Sequence, residues 1–537
     1  MNRLLNHLIE TTARASPDAR ALTCGERHLS YRELQHQLHT TAAGLQQTLG
    51  LELGTRIAIY LPKQLETVLA LFGSVLAGGI FVPVNPLLKP AQVAHLIDDC
   101  GAAMLITSVD RATLLADVLP ACKSLQHLII TDGAARPEAS PSLTVTNWQA
   151  LQSDNQLVHP HITENSIAAI LYTSGSTGQP KGVMLSHRNL VLGAESVAQY
   201  LDTRTSDRLL AVLPLSFDYG LNQLITAFHA GASVVLMNYL LPRDIVRTVS
   251  RERITTLAGV PSLWMQLASL DWPIDITEHL HTLTNSGGHL PVPVIKNLQQ
   301  RLPASRLFLM YGLTEAFRSS YLPPEELAIR PTSIGKAIPH AELAVVHPDG
   351  TACAPDEPGE LVHAGPLVAQ GYWSNPAATE RHFRSPPAAM QNHNASEKVL
   401  WSGDTVTMDA DGYLYFVGRE DDMIKTSGYR VSPTEVEEVL HASERVNEAI
   451  VFGVPHPTLG QAIVAIITPA TTTQAGEAQA EEATFTQQLL NNCRAALPAF
   501  MLPTHIEHRQ QLPKTPNGKI DRQRLKREFH KHFTEAL

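Results

Sequence analysis

The sequence predicts an α/β protein in which parallel sheets are followed by a β-rich region and a small α+β unit. Between residues 30 and 130, short apolar runs such as "RIAIYLP" and "AAMLITS" alternate with helical stretches, which is typical of strands crossed by helices in a parallel sheet. The same rhythm resumes beyond residue 160, with runs such as "ASVVLMN", "RITTLAGVP" and "SRLFLMYG". Ligands bind at the carboxyl ends of strands in open sheets of this kind, so we expect the functional site in the loops that follow these runs.

The pattern changes twice in the second half of the chain. Beyond about residue 335 come β-type pieces separated by turn signals, such as "AELAVVHPDGT" and "GYLYFVGRED". A smaller α+β unit begins near residue 420, and in it "SPTEVEEVLHAS" predicts a helix capped by Ser432 with Pro433 at its first position. The polar, low-complexity stretch 470–483 within this unit predicts a surface loop.

Two apolar stretches have to be distinguished from export and membrane signals. The N-terminal "MNRLLNHLIETTARASPDARAL" has apolar residues at helical spacing interrupted by polar ones, which indicates an amphipathic helix rather than a signal peptide. Residues 67–84 carry no charge and are about as long as the shortest membrane span. Because Gly78, Gly79 and Pro83 interrupt this stretch, we interpret it as a buried helix followed by a buried strand.

The composition restricts the function classes. With 44% hydrophobic and 17% charged residues over 537 residues, the chain has the make-up of a soluble globular protein. Its net charge is -10, from 41 Lys and Arg against 51 Asp and Glu, so it has no basic field for nucleic acid or an anionic membrane. Five cysteines lie far apart with no CxxC pair, which is typical of reduced thiols. We therefore expect a cytoplasmic protein with no nucleic-acid partner and no membrane insertion.

The most informative stretch is "ILYTSGSTGQPKGVMLSHRNL", residues 170–190, in which a β-type run enters a loop of glycines and hydroxyl residues and then a helix. Glycines let backbone N–H groups approach phosphate oxygens, hydroxyls add donors and a lysine adds a point charge. The stretch departs from the P-loop pattern GxxxxGK[ST], because Pro180 precedes the lysine and Gly182 follows it. The residues predicted to bind phosphate are Thr173, Ser174, Gly175, Ser176, Thr177, Gly178 and Lys181.

This loop resembles the AMP-binding signature of the adenylate-forming superfamily, which comprises acyl-CoA synthetases, luciferases and the adenylation domains of peptide synthetases. Further stretches of the family's pattern follow in order over essentially the whole chain: "NSGGHLP", "YGLTE", "GELVHAGPLVAQGYW", "WSGD", "GREDDMIKTSGYRVSPTEVE" and "PKTPNGKIDR". Among acyl-CoA ligases, the chain is most similar to a bacterial group associated with exopolysaccharide and exosortase loci.

The resemblance implies a fold and a reaction. The fold would be α/β, with a large N-terminal domain, residues 1–420, of two βαβ-type layered subdomains plus a β-barrel subdomain. A small mobile α+β C-terminal domain, residues 421–537, would rotate about a hinge at Asp421. The reaction would join a carboxylic acid to ATP in the presence of Mg²⁺, giving acyl-AMP and pyrophosphate, and would then pass the acyl group to the thiol of CoA. Its first step brings two anions together, so it needs cations and aligned donors more than a base.

The resemblance also assigns roles to individual residues. Glu315 would ligate Mg²⁺ and Thr314 would contact the α-phosphate. The other assigned roles are adenine binding for Tyr311 and the backbone of Gly287, ribose binding for Asp404 with support from Arg419, adenylation for Lys519, and thioester formation for Lys425 with Gly428 lining the pantetheine tunnel. Lys519 and Lys425 would serve the two half-reactions in turn, because rotation of the small domain changes the face that it presents to the site.

The segment "LPLSFDYGLNQL", residues 213–224, places a carboxylate, Asp218, in an otherwise apolar stretch. The fatty acyl-CoA synthetase pattern has a histidine where this chain has Phe217, whereas amino-acid-adenylating domains share "SFD" and pair its aspartate with the substrate's ammonium group. By the same alignment the acyl pocket would include Asn222, Asn285 and Arg318, beside Leu283 and Met310. Two interpretations stay open: Asp218 faces a cationic or donor group of a small or medium polar acid, such as an amino acid, or it pairs with Arg318 and the acid has no further charge.

Two other functions fit parts of the pattern. A ligase that loads the pantetheine of an acyl or peptidyl carrier protein would present the same thiol arm to "SGYR", so the sequence does not separate the two acceptors. A non-catalytic nucleotide-binding protein would have no need for five charged residues of the motifs, and their joint presence argues against it. These residues are Lys181, Glu315, Asp404, Lys425 and Lys519.

Overall fold

The computed structural model describes residues 4–133, 143–152, 156–173, 180–390, 392–393, 397–419, 422–426, 429–456, 459–470 and 478–535. Its first section begins with an amphipathic helix and continues as alternating strands and helices. These elements are α1 (His7–Ala15), β1 (Arg20–Cys24), β2 (Arg27–Ser30), α2 (Tyr31–Gln47), β3 (Arg56–Tyr60), α3 (Leu65–Leu76), β4 (Ile80–Pro83), α4 (Pro90–Cys100), β5 (Met104–Thr107), α5 (Val109–Leu115), β6 (His127–Ile130), β7 (Thr144–Asn147), α6 (Trp148–Leu151), β8 (Ile167–Thr173), β9 (Lys181–Ser186) and α7 (His187–Leu201).

The first sheet has, among the described residues, seven strands in the order β7-β6-β5-β3-β4-β8-β9. All neighbouring pairs are parallel except β8 and β9, which form an antiparallel pair at one edge. The stretch 67–84 lies here and is a helix and a strand, as predicted. Every residue of α3 except Glu66 is buried, and so is all of β4. Its apolar character therefore reflects burial on all sides within the protein core.

A second sheet follows, with the same alternation. Its elements are β10 (Arg208–Ala211), α8 (Asp218–Ala230), β11 (Ser233–Leu236), α9 (Pro242–Arg251), β12 (Thr256–Gly259), α10 (Pro261–Ala268), β13 (Thr282–Asn285), α11 (Val292–Arg301), β14 (Arg306–Tyr311) and β15 (Ser320–Leu322). Strands β14, β13, β12, β10, β11 and β1 lie side by side in parallel, and β2 closes the edge in antiparallel sense. The carboxyl ends of the parallel strands therefore meet at one edge of the sheet.

The β-rich section continues this sheet through β15. It contains β16 (Ser333–Ala337), β17 (Glu342–Val346), β18 (Gly359–Ala364), α12 (Pro376–His382), β19 (Phe383–Arg384), β20 (Val399–Met408) and β21 (Leu414–Arg419). These strands pair in antiparallel sense in the order β17-β18-β20-β21-β16-β15. The section predicted from the turn-separated β pieces is therefore present, and it is joined to the second sheet by continuous hydrogen bonding.

The C-terminal section is a small α+β unit. It contains β22 (Ile424–Thr426), β23 (Tyr429–Val431), α13 (Pro433–His441), β24 (Val446–His456), β25 (Gly460–Pro469), α14 (Ala478–Ala496), β26 (His505–His508) and α15 (Arg522–Glu535). Helix α13 begins where predicted, although the Ser432 hydroxyl donates to the carbonyl of Val417 and does not cap the helix. The predicted loop 470–483 is wrong for its last residues, because α14 begins at Ala478.

Among the described residues no helix is both long and apolar enough to cross a bilayer. All five cysteines are free thiols.

Candidate active site

The site lies where the carboxyl ends of β10, β12, β13 and β14 meet the C-terminal domain. The segment before α15 is held against the N-terminal domain by two hydrogen bonds. Ser262 Oγ donates to the carbonyl of Gly518 over 2.8 Å, and Asn85 Nδ2 donates to Asn517 Oδ1 over 2.9 Å. These contacts place the next residue, Lys519, over the edge of the second sheet.

Lys519 reaches into the cleft between the domains. Its Nζ lies 5.2 Å from the centre of the Phe217 ring, and a Cβ built on Gly287 would lie 3.1 Å from its Cε. Gly287 has φ of +84°, so both its conformation and its closeness to the lysine favour glycine. Desolvation lowers the pKa of Lys519, and the nearby Asp218 carboxylate partly opposes that change. Lys519 is exposed overall, so water reaches its side chain.

Asp404 is held by both of its oxygens. The Tyr311 hydroxyl donates to Oδ2 over 2.5 Å and Arg419 Nε donates to Oδ1 over 3.0 Å. Burial, and then the negative charge of Asp404, raise the pKa of Tyr311, and the same carboxylate raises the pKa of Arg419. Asp404 is only 2% exposed, whereas Arg419 is 54% exposed. Each carboxylate oxygen has a second lone pair, so Asp404 can also accept hydroxyl donors from a ligand.

Glu315 lies in a short 3-10 turn, Thr314–Ala316, directly after β14. The Tyr372 hydroxyl donates to Glu315 Oε1 over 2.8 Å, and Lys181 Nζ lies 5.5 Å from the centre of the Tyr372 ring. Thr173 faces Lys181 across the β8–β9 pair. Lys181 and Glu315 thus lie at the same tyrosine, and Thr173 lies beside Lys181 on the paired strand.

Several predicted site residues lie outside the described residues. They are Ser174, Gly175, Ser176, Thr177 and Gly178 of the phosphate loop, the hinge residue Asp421, and Gly428. Lys425 is described and lies on β22, where its side chain is exposed and its backbone N–H donates to Gln461 Oε1 over 2.6 Å. In this arrangement of the domains, Lys519 faces the cleft and Lys425 faces solvent.

Asp218 is the first residue of α8. A carboxylate in the first turn of a helix is stabilised by the unpaired N–H groups and the helix dipole. The helix starts close against the preceding chain, because a Cβ on Gly220 would lie 2.1 Å from the carbonyl oxygen of Pro214. The glycine two residues after Asp218 therefore fixes where the carboxylate lies.

Asp218 and Arg318 pair with each other, as the second interpretation of the pocket expects. Arg318 Nη1 lies 3.6 Å from Asp218 Oδ2, and the two side chains are 2% and 5% exposed, respectively. The guanidinium also lies over the Tyr219 ring, 4.8 Å from its centre. Among the described residues, Arg318 Nε and Nη2, Asn222 Nδ2 and Asn285 Oδ1 are buried without a hydrogen-bond partner. Four unpaired polar atoms on three predicted pocket residues point to a polar ligand, since such groups are costly to leave unpaired.

Phe317 positions Arg318. Its backbone has φ of +57°, which costs energy for a residue with a side chain, and its ring is fully buried. The ring lies against Gly193 of α7, where a Cβ would be 2.4 Å from Phe317 Cδ1. The other predicted pocket residues, Leu283 and Met310, are buried, and Met310 Sδ accepts a hydrogen bond from the Tyr200 hydroxyl over 3.0 Å.

Four residues of the site were not assigned from the sequence. Tyr372 lies in the quoted "GYW" and Tyr219 directly follows Asp218, so their motifs could have indicated them. Asn85 and Ser262 receive the C-terminal segment, and no motif marks either. Contacts between domains distant in sequence leave no local pattern.

The residues present fit ATP and Mg²⁺. Glu315 uses Oε1 to bind Tyr372, and within the described part of the chain its Oε2 accepts no hydrogen bond, which leaves a hard oxygen for a hard cation. Tyr311 supplies an aromatic ring for adenine, and Asp404 supplies two acceptor oxygens for the ribose. A hydrogen bond joins the two side chains. Lys181 and Lys519 supply two cations for phosphate and carboxylate oxygens.

Comparison with known proteins agrees with this site. The family profile described as AMP-binding enzyme matches residues 9–373, and that of the AMP-binding enzyme C-terminal domain matches residues 435–519. A long-chain-fatty-acid–CoA ligase of Salmonella typhimurium is 32% identical over 93% of this chain and 90% of its own. The anthranilate CoA ligase AuaEII, solved with anthranoyl-AMP, superposes with a TM-score of 0.86 at 26% identity, covering 99% of this chain and 98% of that one.

A further solved structure, o-succinylbenzoate coenzyme A synthetase from Bacillus subtilis with ATP and a magnesium ion, has a TM-score of 0.77 at 25% identity. It covers 97% of this chain and 99% of that one. The similarity thus runs through nearly the whole chain. One profile alone accounts for more than half of the residues, and the chain belongs to the AMP-binding enzyme family.

Proposed function

We propose that this AMP-forming acyl-CoA ligase activates a small or medium polar carboxylic acid rather than a long plain fatty acid. The observation that carries the proposal is the buried pair Asp218 and Arg318, with guanidinium N–H groups that have no hydrogen-bond partner in the part of the chain that the structure describes. A long alkyl chain packed against these groups would keep them from water without offering a hydrogen bond, which is costly. A polar acid would offer that bond.

The names of the relatives indicate two classes of acid, one small and polar and one long and alkyl, and the pocket residues favour the first. Anthranilate, the acid named for one structural relative, is small and has a polar substituent beside its carboxylate. The long-chain fatty acid named for a sequence relative represents the rival class. The unpaired donors of Arg318 support the first class, because an alkyl chain offers them no acceptor.

In the adenylation step, the residues of the site hold charge and position groups. Lys519 lies in the cleft beside Phe217 and Gly287, where its ammonium would attract the carboxylate of the acid and the phosphate oxygens of ATP. Asp404, fixed by Tyr311 and Arg419, would accept the ribose hydroxyls. Mg²⁺ held by Glu315 would neutralise phosphate charge. Binding both anions in one geometry accounts for most of the rate in such a reaction.

In the second step, the thiol of CoA takes the acyl group and AMP leaves. We assign this step to a rotated C-terminal domain that turns about Asp421 and brings Lys425 and Gly428 to the cleft. The exposure of Lys425 in the present arrangement supports that assignment. A carrier protein with the same pantetheine arm would use the same face. ATP, CoA and unpaired cysteines suit action in the cytoplasm.

The proposal is tested by exchange of labelled pyrophosphate into ATP, without CoA, across amino acids, hydroxy acids, dicarboxylic acids and fatty acids of graded length. We expect exchange with small or medium polar acids and little with long alkyl acids. Exchange only with long-chain fatty acids would refute the proposal. If folded protein gives exchange with none of the acids, the proposed function is wrong.

A further inference from the structure

The buried pair in the acyl pocket leaves no net charge for the substrate to neutralise. Arg318 and Asp218 carry opposite charges 3.6 Å apart, and both side chains are more than nine-tenths buried. Asp218 is further stabilised as the first residue of a helix of 13 residues. The carboxylate therefore has compensation from the protein itself, and a substrate ammonium group is not required to justify it.

The third charge near the pocket is Lys519. The charges of Asp218, Arg318 and Arg419 affect the pKa of its ammonium group. Lys519 therefore shares the electrostatic environment of the buried pair. Under the proposed function, Lys519 is matched by the carboxylate of the acid that reacts. With that carboxylate bound, Lys519 and Arg318 are balanced by the carboxylate and Asp218, as Arg419 is balanced by Asp404. A second charge on the substrate, of either sign, would then lie uncompensated near buried groups.

The unpaired atoms nevertheless require hydrogen bonds. Arg318 Nε and Nη2 are donors, and Asn222 Nδ2, one helical turn after Asp218, is another. On the acceptor side, Asn285 Oδ1 is unpaired among the described residues. The separation of 3.6 Å also leaves Asp218 and Arg318 without a direct hydrogen bond, so a group lying beside both side chains could accept from the guanidinium and donate to the carboxylate.

We infer that the acid carries, besides its reacting carboxylate, one uncharged group that both donates and accepts hydrogen bonds, such as a hydroxyl or a carboxamide, and that Asp218 and Arg318 select it together. This inference rests on the proposed function and narrows it: it excludes amino acids with a free ammonium group and dicarboxylic acids. The selection works by charge balance, since each charged competitor meets one like charge in the pocket.

The test uses substrates that differ in one substituent. On one skeleton these are propionate, lactate, alanine and methylmalonate; on another they are butyrate, γ-hydroxybutyrate, γ-aminobutyrate and glutarate. The same four substituents are placed on octanoate and on the methyl group of toluate, where the amino group is an alkylammonium as on the other skeletons. We expect the hydroxyl member of the best skeleton to exceed the unsubstituted, ammonium and carboxylate members in kcat/KM for pyrophosphate exchange by about tenfold or more.

Two variants change the charge balance of the pocket in opposite directions. Asp218→Asn leaves the Arg318 charge unpaired, so the preference should move toward the dicarboxylic member. Arg318→Gln leaves the Asp218 charge unpaired, so it should move toward the ammonium member. The relative preference among substituents should change about tenfold in each case. The comparison within one variant corrects for any loss of overall activity.

Each outcome has one meaning. Preference of the wild-type protein for an ammonium, a carboxylate or an unsubstituted member overturns the inference while leaving adenylation of that acid established. Absence of exchange with every member, by protein that is folded and binds ATP, refutes the proposed function itself. The wild-type series decides the matter even if a variant fails to fold.

Discussion

Gly193→Ala should weaken adenylation by displacing Phe317 and, through it, Arg318. The Cβ of alanine would lie 2.4 Å from Phe317 Cδ1 and 3.0 Å from Cε1. Carbon atoms pack at about 3.5–4.0 Å, so the ring would have to withdraw by roughly 1 Å. Phe317 is fully buried and its backbone is already strained, so little room exists to absorb the movement. Overpacking of this kind costs about 1–3 kcal/mol.

The expected result is a fall of about 10- to 100-fold in kcat/KM for the acid, because a 1 Å misplacement near a reacting group costs about that factor. The substitution itself favours helix α7, since alanine exceeds glycine in helix propensity by about 1 kcal/mol. The assay is pyrophosphate exchange with the acid that gives the fastest exchange, together with thermal unfolding.

A second substitution provides the control for this prediction. Phe317→Leu in the Gly193→Ala background removes the ring atoms that overlap, so it should recover part of the lost activity. Unchanged kcat/KM in Gly193→Ala, or no recovery in the double variant despite a normal unfolding temperature, would contradict the positioning role of Phe317.

Three further predictions concern charge. Lys519→Ala should lose pyrophosphate exchange by about 100-fold or more, whereas Lys425→Ala should retain it and lose thioester formation from acyl-AMP; equal loss of both half-reactions in both variants would refute the two-lysine assignment. Because desolvation lowers the pKa of Lys519 from 10.5, exchange should decline as pH rises through that lowered value, and Lys519→Arg should move the decline to higher pH. Burial lowers the pKa of His363 to about 3, so between pH 6.5 and pH 3 only the unfolded chain takes up this proton. The protein should therefore lose stability as the pH falls through this range, by up to about 1.4 kcal/mol per pH unit. This loss should be smaller in His363→Gln when urea midpoints are compared across pH.

The fold could be predicted where local pattern and burial agree. The stretch 67–84 divided at its glycines into a helix and a strand, because glycine and proline end elements whatever surrounds them. The start of α13 was predicted from Ser432 and Pro433, yet the serine hydroxyl binds Val417 instead. Position along the chain was thus easier to predict than the partner of a side chain, which depends on tertiary packing.

For the beginning of α14, by contrast, the position of the element itself was predicted wrongly. Its first residues belong to the polar stretch 470–483, whose composition indicates a loop. Alanine and glutamate are good helix formers, however, and the helix gains a buried apolar side further along, at Phe485 and Leu489. The packing of those later residues extends the helix back into a segment that has alanines but no large apolar residue.

For the candidate site, the motifs indicated Asp218 and Arg318, but they could not tell whether the charges of these two residues neutralise each other. "SFD" indicates a carboxylate at position 218 in either kind of pocket, and only the distance to Arg318, 100 residues later, tells whether the protein already neutralises it. The same motif therefore suits an ammonium-bearing substrate in one chain and an uncharged polar one in another. The side chain that decides between them lies in the connection between β14 and β15, and no local pattern links it to the start of α8.

The contacts that bring Lys519 to the cleft are weak enough to be reversed, which the two-step chemistry requires. The bonds from Ser262 to Gly518 and from Asn85 to Asn517 join uncharged groups, and each contributes about 0.5–1.5 kcal/mol net. Their sum, of the order of 1–3 kcal/mol, is within the range by which a bound nucleotide shifts a two-state equilibrium. In the proposed two-step mechanism, Ser262 and Asn85 would set how readily the C-terminal domain leaves after acyl-AMP has formed, and Lys519 would act in adenylation before it leaves.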